Sequence, residues 1–227
     1  MLKNSKYNKV LTVILVIVIL GIIGLLVYMG IDYYKKSQET SESDEILGQL
    51  DEYLNEEGGT GVLPGGDNTN IINVPVNEVV PGNTTDGGNG STNQQLTYKG
   101  YAVNGKIEIP RIDLEYPILE ATVDTIQVAV GFLYGPGLNE VGNNVIIGHN
   151  FRDGRFFANN DKLSIGDKIY ITDLSNRRVE YEITKKYITD ANDFSYAVRD
   201  TNGKREISLS TCTDDVSGRL VIWAAEV

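Results

Sequence analysis

A long uncharged run near the start of the chain is its strongest hydrophobic pattern. The 22 residues from 10 to 31 read VLTVILVIVILGIIGLLVYMGI. As an α-helix this run is about 33 Å long, against about 30 Å for the hydrocarbon core of a bilayer. A domain of this size can hardly enclose a helix that is apolar on every face. The pattern therefore predicts a transmembrane helix over residues 10–31.

The flanks of this run predict its orientation. Three lysines precede it, one Asp and two Lys follow it, and then no basic residue occurs until Lys99. No small-residue cleavage pattern follows, which is typical of an uncleaved signal anchor. The positive-inside rule places residues 1–9 in the cytoplasm. We expect a single-pass protein of the cell membrane, with the bulk of the chain outside the cell.

An acidic stretch with a second helical pattern comes next. Residues 37–98 hold eleven Asp and Glu and no Lys or Arg. Helical spacing predicts a short amphipathic helix that is capped by Ser41 or Ser43 and stopped by Gly58 and Gly59. A five-residue apolar face favours a stalk that rests on the domain or on the membrane over a recognition role. The apolar positions are Ile46, Leu47, Leu50, Tyr53 and Leu54.

Residues 58–97 are rich in Gly, Asn, Thr and Pro, with stretches such as PGNTTDGGNGSTNQQ. Such a composition buries too little apolar surface to offset chain entropy. We therefore predict an acidic stalk and a disordered linker over residues 32–98. As a flexible coil, residues 37–98 would span roughly 40 to 45 Å. Because the linker is not basic, nucleic acid is a poor partner for it.

After Lys99 the pattern changes to short alternating runs between turn residues, which indicates a mainly β domain over residues 99–227. Residues 124–132 are predicted as a short helix, and residues 153–163 as a turn with one helical turn. A chain of this length is sufficient for a closed barrel, which leaves no sheet edge exposed. The predicted strands are residues 106–112, 144–149, 168–172, 179–187, 206–212 and 219–227.

Composition singles out two residues. The chain has 227 residues, a formal net charge of −11, one Cys and one His. Because the domain is expected outside the cell, a lone Cys212 cannot form an internal disulfide, and a nucleophile is the best explanation for it. One Cys and one His make a poor zinc site, so we expect no metal and no cofactor.

Cys212 ends one predicted strand, and Arg219 begins the next after a turn. In a hairpin with its ends in register, the two side chains lie roughly 5 Å apart at their first carbons. The guanidinium then favours negative charge near the sulfur and donates hydrogen bonds to an oxyanion. The alternative is a rim arginine that pairs with Asp214, Asp215 or solvent.

His149 closes the apolar strand NVIIGH and precedes a polar turn. A neutral imidazole takes the proton of a thiol and returns it to a leaving amine, as acyl transfer at a cysteine requires. A hydrogen-bonded surface histidine is the alternative. Spacing alone does not show that His149 approaches Cys212.

Several short motifs in one order resemble the sortase family of membrane-anchored cysteine transpeptidases. The sequence SLSTC at 208–212 matches the family motif T-L-x-T-C except for Ser208, and Arg219 follows on the next strand. The strings IGHN at 147–150 and IEIPRI at 107–112 match two further family patterns. The resemblance covers roughly residues 100–227. Papain-like proteases differ, because their cysteine precedes their histidine.

This resemblance implies an eight-stranded β-barrel with Cys212 as the nucleophile, His149 as the acid and base, and Arg219 as the stabiliser of substrate and oxyanion. It implies an LPxTG-like sorting signal of exported proteins as substrate. A thioacyl enzyme would pass the protein to an amino group of cell-wall precursor or pilin. The sorting motif, the subclass and any activation by calcium stay open.

The resemblance also suggests residues that touch the substrate. Thr211 would position the substrate carbonyl, unless it is an ordinary strand threonine. Residues 188–205 correspond to the family's specificity loop, where Phe194, Tyr196 and Val198 line an apolar groove or anchor the loop. Two other functions stay open: a cysteine peptidase with water as acceptor, and a tethered binding or adhesion module without catalysis.

Overall fold

The computed structural model describes residues 5–55, 71–75 and 94–227. Within these residues one α-helix, α1, covers Ser5–Asn55, and short 3-10 turns lie at Pro110–Ile112, Thr125–Gln127, Asn160–Lys162 and Ser195–Ala197. The strands are β1 (Ile71–Pro75), β2 (Gln94–Tyr98), β3 (Tyr101–Ile109), β4 (Leu114–Glu120), β5 (Val130–Tyr134), β6 (Gly142–Ile147), β7 (Lys168–Asp173), β8 (Arg178–Asp190), β9 (Arg205–Cys212) and β10 (Gly218–Glu226).

Eight of these strands form a closed barrel. In the order β3-β4-β5-β6-β9-β10-β8-β7 each strand is hydrogen-bonded to the next, and β7 pairs back onto β3. The pairs β4–β5 and β6–β9 are parallel. β1 and β2 lie outside this circuit, with β2 paired to the start of β3. The mainly β fold and the closed eight-stranded barrel predicted from the sequence are therefore confirmed.

The barrel is filled by apolar side chains from all eight strands, among them the fully buried Ile107, Ile146 and Ile183. Where β3 pairs with both β4 and β7, its backbone bulges at Gly105, whose φ is 152°. A Cβ at this position would overlap the backbone carbonyl of Thr172. Only glycine fits here, because β7 comes so close when the barrel closes.

The end of α1 packs on the outside of the barrel. The chain divides into two compact units, Met1–Glu42 and Ser43–Val227, so the last turns of α1 belong to the larger unit. One contact in this unit is an ion pair between Lys106 on β3 and Asp51 of α1, with 2.7 Å between Nζ and Oδ1. The predicted amphipathic helix therefore rests on the domain, one of the two surfaces expected for it. Its buried residues Ile46, Leu50, Tyr53 and Leu54 share a core with Leu96, Tyr98, Val103, Leu119 and Ala129.

Several predicted boundaries differ from the structure. α1 continues through Ser41 and Ser43, so neither residue caps a helix, and it ends at Asn55. Gly58 and Gly59, the predicted stop, lie outside the described residues. Two strands, β1 and β2, fall within the predicted linker. The domain boundaries drawn from the sequence stay predictions.

In the barrel, all six predicted strands are present with shifts of a few residues, but β4 and β5 were not predicted. The helix predicted over residues 124–132 is a single 3-10 turn, and β5 begins at Val130. Parallel pairing with β4 explains the difference, because it extends Val130 and Gly131 as a strand. The predicted helical turn in residues 153–163 is confirmed at Asn160–Lys162.

The first unit contains the apolar run. By length and composition α1 is able to cross a membrane, with a mean hydropathy of 3.4 in its most apolar window. None of that window is buried against the protein. Such a helix suggests a membrane anchor, since exposed apolar surface of this length is stable in lipid.

Candidate active site

Three adjacent strands carry the sequence-predicted residues to the same end of the barrel. β9 lies between β6 and β10, and Cys212 pairs with Arg219 across β9 and β10, the register expected of the hairpin. The side chains of Ile207 and Leu209 point into the barrel core. Because side chains alternate along a strand, Cys212 points outward, and so does Arg219 opposite it.

His149 reaches the same outer face from β6. On this strand Ile146 points into the core and Ile147 packs on the outside. The ladder to β9 continues one residue past the strand, since the amide N–H of Gly148 donates to the carbonyl of Ser210 at 3.2 Å. Continued alternation turns His149 outward, directly beside Cys212 in the parallel register. The fold therefore brings sulfur, imidazole and guanidinium to neighbouring positions.

The ends of β6 and β9 are held together by two side chains. The hydroxyl of Thr211 donates to the carbonyl oxygen of Gly148 at 2.7 Å. The amide nitrogen of Asn150 lies 3.1 Å from the carbonyl oxygen of Cys212 and 2.8 Å from a carboxylate oxygen of Asp214. Thr211 thus fixes the backbone just before His149, and its predicted contact with substrate stays a prediction.

Gly148 allows this close approach. A Cβ there would lie 2.9 Å from the ring of Phe157. Phe157 itself is fully buried and donates its amide N–H to the carbonyl of His149 at 3.1 Å. The backbone that carries the imidazole is therefore pressed against a core aromatic ring, which limits its movement.

The imidazole is held on two sides. The ring of Phe151 is stacked on it with 4.8 Å between centroids. The amide nitrogen of Gln127 lies 3.1 Å from its Nε2. These contacts place His149 in a partly buried, defined position, and its role as acid and base stays a prediction.

Arg219 is held by the loop that follows β8. Its Nε donates to the carbonyl oxygen of Ala191 at 2.7 Å, and its guanidinium lies 5.0 Å from the centroid of the Phe194 ring. The alternative partner Asp214 binds Asn150 instead. Nε of Arg219 therefore binds a backbone carbonyl rather than Asp214, and the role of its guanidinium in catalysis stays a prediction.

The turn between β9 and β10 is stabilised by Asp215. Hydrogen bonds from the hydroxyls of Thr213 and Ser217 and from the Ser217 amide lower the pKa of this carboxyl to about 2. The turn therefore keeps its negative charge throughout the neutral range. The hydrogen bonds to Asp215 stabilise the hairpin that aligns Cys212 with Arg219.

A pocket of about 540 Å³ opens beside Cys212 at the mouth of the barrel. It combines apolar walls with the carboxylates of Asp161 and Asp214. Its lysine is anchored, since Nζ of Lys186 donates to the carbonyl oxygen of Leu163 at 2.6 Å. The pocket is lined by Asn150, Phe157, Ala158, Asp161, Lys186, Tyr187, Ile188, Thr211, Cys212, Thr213, Asp214 and Leu220.

The loop between β8 and β9 gives its three predicted residues different positions. Tyr196 is buried beneath the loop against Val145 and Val221, so it anchors the loop. Phe194 is about half exposed and faces Arg219. Val198 is largely exposed and lines a second depression of about 630 Å³ between this loop and the β5–β6 connection. Val198 thus lines a groove, Tyr196 anchors the loop, and the predicted contact of Phe194 with substrate stays a prediction.

Sequence reasoning missed several residues of this site. Gln127 lies in a polar turn 22 residues before His149, and nothing in its surroundings in the sequence marks it. Asn150 belongs to the motif IGHN, but its contacts with Cys212 and Asp214 were not predicted, and Phe151 follows it directly in the polar turn. Among the described residues, no cluster of three His, Cys, Asp or Glu side chains is arranged to hold a metal ion.

A family model of the sortase domain matches residues 107–227, more than half of the chain. The chain belongs to the sortase family. Members of this family are in general transpeptidases that anchor proteins or pilins. The matched residues include the end of β3, the other seven strands of the barrel, and Cys212, His149 and Arg219.

Individual relatives agree with this family. Sortase A of Bacillus anthracis is 33% identical over 129 residues, which are 53% of this chain and 58% of that protein. The structure of sortase A from Corynebacterium diphtheriae is 30% identical with a TM-score of 0.51, covering 56% of this chain and 61% of that one. A sortase D5 transpeptidase of Clostridium perfringens is 27% identical with a TM-score of 0.51, covering 56% and 79%. The chain thus spans little more than half of the curated relative.

Proposed function

We propose that this chain is a cysteine transpeptidase that cleaves an LPxTG-like sorting signal and transfers the exported protein to an amino group of cell-wall precursor or pilin. The observation that carries the proposal is the register of β6, β9 and β10. It sets Cys212 opposite Arg219 and beside His149 on one outer face. Membership of the sortase family supports the same reaction class.

In the first half of the proposed reaction the thiol of Cys212 gives its proton to the imidazole of His149. The thiolate attacks the carbonyl carbon of the Thr-Gly peptide bond, and the carbonyl oxygen becomes an oxyanion. The bond to nitrogen then breaks, and the imidazolium protonates the leaving amine. The products are a thioester on Cys212 and a free C-terminal tail.

Arg219 is suited to stabilise the oxyanion. Its Nε is already committed to the carbonyl of Ala191, which orients the planar guanidinium. Its terminal nitrogens carry four further N–H groups for the substrate. A donor that is held before the charge develops costs no reorganisation during the reaction. The loop that binds the substrate would thereby also aim the catalytic arginine.

In the second half an amine attacks the thioester, His149 accepts its proton, and the thiol of Cys212 is restored. The pocket beside Cys212, with a volume of about 540 Å³, is large enough to admit an amine acceptor. The carboxylates of Asp161 and Asp214 favour a cationic amine there. A peptidase that uses water remains the second candidate function.

The proposed setting is the outer surface of the cell membrane. The apolar part of α1 supports a single-pass anchor, and the lysines before it support a cytoplasmic N-terminus. Exported proteins with a sorting signal then meet Cys212 as they leave the membrane. The proposed partners are these proteins and the acceptor amine, and no nucleic acid.

The test incubates the full chain in detergent micelles with an LPxTG-type peptide, with and without an amine acceptor. We expect a product that contains the acceptor, and a thioester adduct on Cys212 by mass spectrometry when acceptor is absent. A product that never contains the acceptor supports the peptidase instead. A binding or adhesion module is supported by two results together. The peptide is not cleaved at all, and cells that carry the Cys212→Ala variant still attach surface proteins.

A further inference from the structure

The middle of the β8–β9 loop, residues 191–204, is fastened to the outer face of the barrel. Tyr196 and Ala197 are buried there, and they pack on Val145 of β6 and Val221 of β10. The same outer face carries the catalytic residues further along these strands. The loop therefore has a fixed position on the sheet, and the contacts that fix it can be identified.

Asn143, near the start of β6, makes the central contact between sheet and loop. Its side-chain nitrogen donates to the carbonyl oxygens of Tyr196 and Ala197, both at 2.9 Å. Its side-chain oxygen accepts from the hydroxyl of Ser208 at 2.8 Å and from Nη2 of Arg199 at 3.1 Å. A side-chain amide has two N–H groups and two lone pairs, so all four are used. The side chain is only 6% exposed, so each lost bond leaves a buried group unpaired.

Arg199 fastens the loop at the next point along the chain. It forms an ion pair with Glu206 of β9, and its guanidinium lies 4.5 Å from the ring centroid of Trp223 on β10. The backbone is thus held on both sides of Val198, which is itself 70% exposed and lines the second depression. The place of Val198 in this depression is therefore set by buried polar contacts beneath it.

The start of the loop is held by other contacts. A carboxylate oxygen of Asp193 accepts from the amide N–H of Ser195 at 2.9 Å, and the other accepts from the hydroxyl of Thr189. Here the carbonyl of Ala191 binds Nε of Arg219. None of these bonds involves Asn143. The loop accordingly has two separately held parts, one that orients Arg219 and one that carries Val198.

We propose that Asn143 is a positioning residue for the sorting signal: it holds the middle of the β8–β9 loop so that Val198 is in place before the substrate binds. This inference rests on the proposed function. A loop that is already ordered costs less conformational entropy when a peptide binds. Asn143 thereby acts on the affinity for the substrate, whereas the chemical step depends on the separately held Arg219.

Asn143→Asp tests this separation. The variant keeps the size and the acceptor oxygen, but an oxygen now faces the two loop carbonyls, which it repels. We expect KM for an LPxTG-type peptide to rise about tenfold with kcat within about threefold. The matched control is Asn176→Asp, which makes the same change in an amide that donates to the carbonyl of Leu54 at 3.0 Å. Its KM and kcat should equal those of the unmodified chain.

A second measurement needs no substrate. Hydrogen–deuterium exchange of the full chain in detergent micelles is followed by mass spectrometry. In Asn143→Asp we expect the amides of residues 191–204 to exchange about tenfold faster, while peptides from β3 and β7 keep their rates. In Asn176→Asp the loop should exchange as in the unmodified chain. Faster exchange throughout the barrel would mean a general loss of stability and would overturn the proposal.

Arg199→Lys provides a second variant. It keeps a positive charge beside Glu206 but loses the planar contact with Trp223 and the guanidinium bond to Asn143. We expect the same direction of change in KM and in loop exchange, and this variant decides alone if circular dichroism shows that Asn143→Asp does not fold. Unchanged loop exchange, or a fall in kcat with KM unchanged, would overturn the proposal. Because exchange is measured without substrate, a failed transpeptidase assay refutes the proposed function and leaves the loop contact separately tested.

Discussion

Cys212 and Arg219 face each other at the open end of the β9–β10 hairpin, away from the barrel core. Substitutions at these two positions therefore change the chemistry of the outer face without creating a cavity. The geometry of Arg219 in particular depends on its planar fork. It binds the carbonyl of Ala191 through Nε while the guanidinium lies over Phe194.

Arg219→Lys should therefore inactivate the chain although the positive charge is kept. An ammonium has no Nε to bind Ala191 and cannot offer a planar pair of donors. We expect kcat/KM for an LPxTG-type peptide to fall by about a hundredfold. The control is Arg178→Lys on the opposite part of the barrel, where the guanidinium lies over Tyr170. Equal activity of both variants would remove Arg219 from the mechanism.

The carboxyl of Asp215 allows a prediction about how the stability of the chain depends on pH. Its pKa is about 2 in the folded chain against an ordinary value of 3.8, because of hydrogen bonds from Thr213 and Ser217. A lowered pKa contributes stability above the ordinary value, and this contribution is lost as pH falls from 3.8 towards 2. The Tm difference between the unmodified chain and Asp215→Asn should be largest at neutral pH and shrink below about pH 4. A difference that is constant with pH would contradict this account.

At the scale of elements, the last turns of α1 belong to the same compact unit as the barrel. Ile46 and Leu50 are fully buried against the barrel. Burial of such side chains contributes about 1.5–3 kcal/mol each relative to leaving them exposed. The apolar patch that α1 covers includes Leu96 and Val103, so removal of this helix would expose a contiguous hydrophobic surface.

We therefore expect Leu50→Ala to lower the free energy of unfolding by about 2–5 kcal/mol. Glu52→Ala, an exposed position in the same helix, should change it by less than about 0.5 kcal/mol. Urea unfolding followed by the fluorescence of Trp223, the only tryptophan, measures both. Similar values for the two variants would mean that α1 does not pack on the barrel in solution.

A related comparison tests the domain boundary predicted from the sequence. A chain that begins at Ser43 retains the shared core, whereas one that begins at Lys99 lacks Ile46, Leu50 and Leu96. We expect the shorter chain to aggregate or to unfold at a lower temperature. If it were equally stable, the predicted boundary at residue 99 would be the correct one.

At the scale of the whole molecule, the two units have different surroundings. The first carries an exposed apolar helix, and the second is a closed barrel with its own cores. The pairing of all eight strands leaves the barrel few open edges. Cys212 lies on one outer face of this barrel and is partly exposed.

Labelling of the single cysteine shows on which side of the membrane the domain lies. We expect Cys212 to react with a membrane-impermeant maleimide in intact cells, because the domain is proposed to lie outside. Cys212→Ala must abolish the label, since no other thiol exists in the chain. Labelling that appears only after the membrane is permeabilised would reverse the proposed orientation.

Much of this protein follows from its sequence alone. The apolar run, the alternating strands and the hairpin of Cys212 and Arg219 are local patterns, and local patterns are set by side-chain periodicity and turn residues. The register of this hairpin was predictable because only six residues separate its two ends. The identities of the thiol, the imidazole and the guanidinium were likewise visible, since each belongs to a recognisable motif.

Tertiary structure decided what depends on contacts between distant segments. The first three residues of β5 were predicted as the end of a helix, whereas their strand conformation comes from pairing with β4 and β6. The proximity of His149 to Cys212 comes from the parallel pairing of β6 with β9, about 60 residues apart in the chain. The same holds for Gln127 beside His149 and for α1 on the barrel. Such contacts leave no periodic trace in a single sequence, because they are selected by packing across the fold rather than by neighbours along the chain.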